Sequence, residues 1–225
     1  MPVGIKMTPM LEQYVHWKDK YPDCLLFFRM GDFYEMFFED AKTASAVLDI
    51  TLTSRSKDSE NQIPMAGVPF HSVDSYLGRL VSAGFRVAIC EQITEPDGRT
   101  LVERSVTRIV TPGTWLPENS DGDGKIAACL FEGRNLSLAL LDSASGALRA
   151  GTFSFEGGVS ILSAFAPNEV LLRRGQIDQF RKNCPSLASC NAVERDRGDF
   201  APAQASAWLC RKWNISSLSA MGLDD

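Results

Sequence analysis

Histidine is scarce in this chain: two in 225 residues, and neither His16 nor His71 stands at metal-ligand spacing from a cysteine. The six cysteines, at 24, 90, 129, 184, 190 and 210, include no C-x-x-C pair. A zinc site is therefore not expected, and reduced, mostly buried thiols are. No apolar run approaches the roughly 18 residues of a membrane span, and residues 1–6 lead into no apolar signal region. A soluble, cytoplasmic protein without a membrane partner is the expectation. The G-x-x-x-x-G-K-[ST] phosphate loop is missing throughout, as are internal repeats and low-complexity tracts. A basic excess is missing too. Residues 1–113 carry 12 Lys+Arg against 15 Asp+Glu, and residues 114–225 carry 11 against 13, for a net charge of -5. Bulk electrostatics thus argue against a nucleic-acid binder, while leaving room for a small contact surface helped by other domains.

What is present is a globular composition, 44% hydrophobic, at a length that holds one large domain or two ordinary ones. Thr8-Pro9 reads as an N-cap and first helical residue, with Met10, Leu11, Tyr14, Val15 and Lys18 giving an amphipathic helix. A strand at 24–29, a helix at about 35–49 and a short strand at 50–53 follow. Residues 54–61 have the composition of an exposed loop. Val73, Tyr76, Leu77, Leu80 and Val81 form the clearest helical stripe, stopped by Gly84. Residues 86–94 and 101–110 read as partner strands around a Pro96-Asp97-Gly98 turn. Composition closes a small mixed α/β domain at 1–113, followed by a polar linker at 114–124.

The second domain, 125–225, opens with three strands at 126–132, 136–142 and 147–153 in a meander. Helix at 159–165, strand at 169–172 and helix at 177–182 then alternate. A last helix near Pro202 sets Ala205, Trp208, Leu209 and Trp213 on one face. The chain reaches residue 225 without an obvious native terminus and is read as an N-terminal fragment, its second domain open to truncation.

One stretch stands apart: Arg29-Met30-Gly31-Asp32-Phe33-Tyr34-Glu35-Met36-Phe37, between the strand and the helix. Asp32 and Glu35 have the spacing of a capping box, and Phe33 precedes Phe37 by one helical turn, which is a structural account. The alternative is that a strand-to-helix junction presents Phe33 and Glu35 outward as working groups.

GDFYEMF resembles the Phe-x-Glu motif of the MutS family of bacterial mismatch-repair proteins. Four more blocks resemble that family in order: TPMLEQY at 8–14, IPMAGVPFHSV at 63–73, VAICEQI at 87–93 and VTRIVTPGT at 106–114. The resemblance is strong over the first half and general over the second. It implies a small mixed α/β mismatch-recognition domain followed by a ribonuclease-H-like α/β connector domain. It implies that Phe33 is a minor-groove wedge stacking on a mispaired base, with Glu35 hydrogen-bonding that base. Wedges of this kind unstack one step, and a mismatch resists the deformation less than paired DNA. Met65 is either a second minor-groove residue or packing under a Gly-rich turn. Arg55, Lys57, Arg104 and Arg108 are candidate phosphate contacts. Phe70 and His71 are read as packing or capping residues of the third helix.

The resemblance further implies double-stranded DNA with mismatches or small loops as ligand and a MutL-like repair partner on the connector. It implies a homodimer in the full-length protein, nucleoid association, and ATP with magnesium bound in a downstream ATPase. The fragment itself is expected to be no enzyme and to hold no cofactor. Two other readings stand beside it. One is a protein–protein interaction module with little DNA role. The other is a metal-dependent nuclease, for which Glu132 and Asp142 are the only acids near the meander, short of a converging carboxylate set.

Overall fold

The computed structural model describes residues 7–55, 62–95, 100–116 and 124–222. The chain divides into two compact units, Met1–Gly122 and Asp123–Asp225. No described helix is long and apolar enough to cross a membrane. Five of the six thiols are buried and free, and Cys210 is half-buried.

In the first unit Thr8 caps helix α1 (Pro9–Lys20), accepting from Leu11 N–H at 3.4 Å. Strands β1 (Leu25–Met30) and β2 (Phe33–Phe37) form a hairpin, followed by α2 (Phe38–Leu48) and a two-residue β3 (Thr53–Ser54). Then come β4 (Pro64–Pro69), a 3₁₀ turn at Phe70–Ser72, α3 (Val73–Ser82), β5 (Val87–Gln92) and β6 (Arg104–Val110). The sheet order is β3-β4-β2-β1-β5-β6, with β1 and β5 parallel and the other pairs antiparallel. Alternation along the strands sends Phe27, Tyr34, Met36, Val68 and Ile89 to a core shared with α2 and α3. Leu26, Phe28, Phe37, Ala88 and Cys90 go to the opposite core, under α1.

Two expectations are corrected here. The helix placed at 35–49 begins only at Phe38, and the residues before it form a strand. Phe33 and Phe37 share a face at a spacing of four residues, which suits a strand of period two as well as a helix of period 3.6. Gly31-Asp32 is a two-residue hairpin loop, so Asp32 caps no helix. The strand expected at 50–53 is reduced to Thr53–Ser54. Strand β4 is absent from the sequence reading, because Pro64, Gly67 and Pro69 each count against a strand. It is tolerated where it is because the prolines stand at its first and last positions. Trp115 packs on the α3 side of the first unit's core, its indole beside Gly78. The loop at 56–61, the turn at 96–99 and residues 117–123 of the polar stretch lie outside the described residues.

The second unit contains the meander β7 (Lys125–Glu132), β8 (Asn135–Asp142) and β9 (Leu148–Ser154). It continues with α4 (Phe155–Phe165), β10 (Glu169–Arg173), α5 (Ile177–Asn183), β11 (Asn191–Arg195) and α6 (Pro202–Trp213). The order β11-β10-β7-β8-β9 has β10 parallel to β7 and β11 parallel to β10, the ribonuclease-H-like arrangement expected. Leu162 of α4 and Phe180 of α5 join Ala127, Cys129, Phe131, Leu138 and Leu172 in one core, so both helices cover the same sheet face. β11 is also absent from the sequence reading, being short, polar and at the sheet edge. Helix α6 buries none of its residues, and Trp208 and Trp213 remain 55% and 38% exposed.

Candidate nucleic-acid interface

Residues 29–37 fold as the β1–β2 hairpin. Met30 pairs with Phe33 across Gly31-Asp32, and Gly31 alone of the loop residues has positive φ, +58°, the type II′ pattern. Three hydrogen bonds hold this turn from different elements. Gly31 N–H donates to Gln92 Oε1 at 3.0 Å, and Phe70 N–H donates to the Asp32 carbonyl at 3.0 Å. Arg104 Nε donates to the Arg29 carbonyl at 2.7 Å. On the α2–α3 side, the Tyr34 hydroxyl binds the Glu91 carboxylate, and the Arg29 guanidinium lies 3.6 Å over the Phe70 ring. Burial, then the bond to Glu91, pushes the Tyr34 phenol up to about 12. The hairpin is therefore a rigid mount.

At the other end of β2 the β1–β2 ladder stops early. Phe28 pairs with Glu35, so the next hydrogen-bonded pair in register would be Leu26 with Phe37. Two side chains stand in that gap instead. Leu26 N–H donates to Asp40 Oδ2 at 3.0 Å, and Phe37 N–H donates to the Tyr14 hydroxyl at 3.2 Å. Tyr14 in turn donates to Asp40 Oδ2 at 2.9 Å, and Lys18 Nζ lies 2.8 Å from Asp40 Oδ1. Burial first, and Asp40 second, holds the Tyr14 phenol well above its ordinary value. Phe38, just beyond, has φ +55°, a left-handed conformation rare for a bulky residue. Such strain costs about 1–3 kcal/mol and persists only where surrounding contacts support it; the Phe38 ring packs 6.2 Å from that of Tyr14.

Between these fixed ends, Phe33, Glu35 and Phe37 alternate onto the α1 face of the sheet. Pro69, Gly67 and Met65 stand directly opposite them on β4. Phe37 is fully buried, but the strip toward the hairpin turn is open: Phe33 is 47% exposed and Gly67 is exposed. A Cβ on Gly67 would meet the Phe33 ring at 3.8 Å and Glu35 Cγ at 3.9 Å. Glycine is thus not forced by crowding within the chain, and its effect is to leave the strip between ring and carboxylate flat. Met65 is half-buried in a strand, not under a turn, and packs on the α1-side core.

Glu35 is not occupied with its own helix. Its Oε2 accepts from Arg55 Nη1 at 3.2 Å, with side chains 21% and 38% exposed. Burial raises the Glu35 carboxyl above its ordinary value, while Arg55 and then Arg104 pull it back. A half-desolvated carboxylate with one partly exposed counter-ion can accept hydrogen bonds, or donate one once protonated.

The candidate cations separate. Arg104 shares the face of Glu35 but is used within the chain, donating to the Val102 carbonyl at 2.8 Å and Gln13 Oε1 at 3.4 Å besides Arg29. Arg108 is exposed on the opposite face, 6.0 Å from the Trp115 ring. Even-numbered residues of β6 should share a face, but a bulge between the pairs Ile89–Arg108 and Cys90–Val106 reverses the alternation. Lys57 lies outside the described residues. Phe70 packs on the α2–α3 core, and His71 is exposed with its ring 3.6 Å from that of Phe70. Sequence reading missed Tyr14, Gly67 and Gln92. All three sit inside blocks that carry the family resemblance, but only the strand register discloses what they touch.

The two acids near the meander have structural employment. Asp142 Oδ1 accepts from Ala144 and Ser145 N–H, each at 3.0 Å, and Glu132 Oε1 lies 3.5 Å from Arg173 Nη1. The bonds to Ser145 and Ala144 hold the Asp142 carboxyl below its usual range. Among the described residues no three of His, Cys, Asp and Glu gather as a metal site would need.

Residues 8–119 match the family model described as MutS domain I. Curated relatives named DNA mismatch repair protein MutS match across most of the chain. That of Myxococcus xanthus (strain DK1622) is 42% identical over 97% of this chain and 25% of its own length. Those of Staphylococcus epidermidis and Staphylococcus aureus (strain JH9) are 40% and 44% identical, over 86% and 78% of this chain and 23% and 21% of their own lengths. The chain spans about a quarter of the length of the curated relatives it matches.

Proposed function

The chain belongs to the MutS family, and on that premise we propose that its first unit tests duplex DNA for mispaired or unpaired bases, with Phe33 as wedge and Glu35 as base-contacting group. The observation that supports this most is the open strip itself. A half-exposed phenylalanine and a half-buried carboxylate stand two residues apart on one sheet face, on a hairpin held at both ends. An exposed aromatic on a stiff mount loses little freedom on insertion, so its stacking is not spent on ordering the loop. Discrimination then follows from the duplex: a step that has lost pairing opens at less cost than an intact one.

In this reading the second unit is the connector of a longer, cytoplasmic repair protein. That protein would act as a homodimer, carry the ATPase with its ATP and magnesium elsewhere, and engage a MutL-like partner. An interaction role for the second unit is favoured by α6, which presents Trp208 and Trp213 at the surface. A nuclease role is not supported, since Asp142 and Glu132 are engaged in a turn and an ion pair.

The test is binding of the whole protein to single-mismatch and matched duplexes, because a chain of net charge -5 attracts phosphates weakly by itself. Base–aromatic stacking is worth about 1–3 kcal/mol, so Phe33→Ala should weaken mismatch binding about tenfold to a hundredfold. Matched-duplex binding should hardly change. A variant that keeps its mismatch preference would overturn the assignment.

A further inference from the structure

Arg55 continues the β3 side of the sheet, its N–H donating to the Ile63 carbonyl at 3.1 Å. β4 lies between β3 and β2, so the guanidinium reaches Glu35 across β4, passing 5.6 Å from the Phe37 ring centre. Arg104 is tied to backbone carbonyls, whereas Arg55 follows the edge strand β3 and its side chain is 38% exposed. The guanidinium is open enough to leave, but the carboxylate is buried enough that separation is costly unless Glu35 gains another partner. A guanidinium fork fits a phosphate as well as it fits a carboxylate.

We propose that Arg55 is a specificity-determining residue that changes partner, holding Glu35 in the DNA-free protein and moving to a backbone phosphate when a displaced base is present to engage Glu35. The inference rests on the reading of Phe33 and Glu35 given above. Among the described residues, Arg55 and Arg104 are the charged groups that bear on Glu35, and only Arg55 sits where it can leave. On a matched duplex no displaced base approaches Glu35. Moving Arg55 would then leave a half-buried carboxylate without its nearest counter-charge, so the phosphate contact is withheld. At a mismatch both groups find partners at once. Glu35 therefore restrains matched-DNA binding through Arg55, not only through its own repulsion of phosphates.

A double-mutant cycle in the whole protein tests this, comparing wild type, Glu35→Gln, Arg55→Gln and the double variant on matched and mismatched duplexes. With Arg55 present, Glu35→Gln should raise matched-duplex affinity about tenfold by freeing the guanidinium. It should also steepen the slope of log K against log salt by about one. In the Arg55→Gln background the same change should gain less than about twofold, with no change of slope. Arg55→Lys, which keeps the charge, should preserve most of the gain. An equal gain in both backgrounds would overturn the exchange and leave Glu35 acting by its own charge, and no gain in either would overturn it as well. Phe33→Ala is measured in parallel. Retained mismatch preference there defeats the wedge reading, whereas its loss together with an additive cycle defeats only the exchange.

Discussion

In each unit a strand ladder stops short of its last backbone groups, and buried side chains take those groups up. In the second unit the pairing of β7 with β10 ends at Cys129 and Leu172. The Gln176 amide takes over beyond it, donating to the Phe131 carbonyl at 2.7 Å and accepting from Phe131 N–H at 3.3 Å. In the first unit the Tyr14 hydroxyl serves Phe37, but only within a charged group with Asp40 and Lys18. The Gln176 side chain completes a sheet, and its backbone starts α5. The Tyr14–Asp40 clasp takes up the N–H groups of Leu26 and Phe37 and so anchors the far end of the strand that carries Phe33 and Glu35. The same requirement, that buried backbone groups be paired, is met with a neutral amide where only stability is at stake and with a polar hub where a working strand must be aimed.

Replacing those groups separates the two cases. The largest stability loss is expected for Gln176→Leu, which strands both backbone groups of Phe131 and should cost about 2–5 kcal/mol in denaturant melts. Hydrogen exchange should speed up in β7 and β10 and stay unchanged in β1 and β5. Equal acceleration in both sheets would show the units unfolding as one. Tyr14→Phe should cost less, about 1–2 kcal/mol, since Asp40 keeps Lys18 and Leu26 N–H. Its signature should be loss of exchange protection at Phe37 and a weakened mismatch preference. An unchanged preference would reduce the clasp to the same plain role as Gln176.

The smallest effect concerns charge. Burial raises the Glu35 carboxyl, so the folded chain holds that proton more tightly than the unfolded chain. Stability tied to this group is therefore greatest at low pH and is lost as pH rises through its folded value. Glu35→Gln should raise Tm by about a degree at pH 7, and the gain should shrink as pH falls toward the ordinary carboxylate range. A gain independent of pH would mean that ionisation of Glu35 is not what costs stability. The neutral Gln176 site gives no such pH signature of its own.

Legibility differs between the units for the same structural reasons. The meander β7–β8–β9 is readable from the sequence because consecutive strands with period-two burial and short turns are local features. α1 is legible from Thr8-Pro9, and α3 from a stripe ended by Gly84. The sheet of the first unit is harder, because β2 pairs with β4 and β1 with β5 across intervening helices and loops. Phe33 and Glu35 stand out from the motif and its resemblance. Their setting does not, because a spacing of four is shared by helix and strand. Arg104 and Arg108 stand four residues apart on one strand, and a single bulge puts them on opposite faces.

By itself the sequence determined the α/β class, most helices and meander strands, the resemblance carried by five blocks, and the residues worth testing. Those properties lie in local composition, periodicity and motif. Only the tertiary structure decided that Glu35 faces Arg55 and not its own helix, that Tyr14 and Asp40 take up the N–H groups of Leu26 and Phe37, and that Gly67 leaves the strip open. Each of these depends on how segments distant in the chain are brought together, and a shift of one residue in strand register would turn Glu35 to the other face.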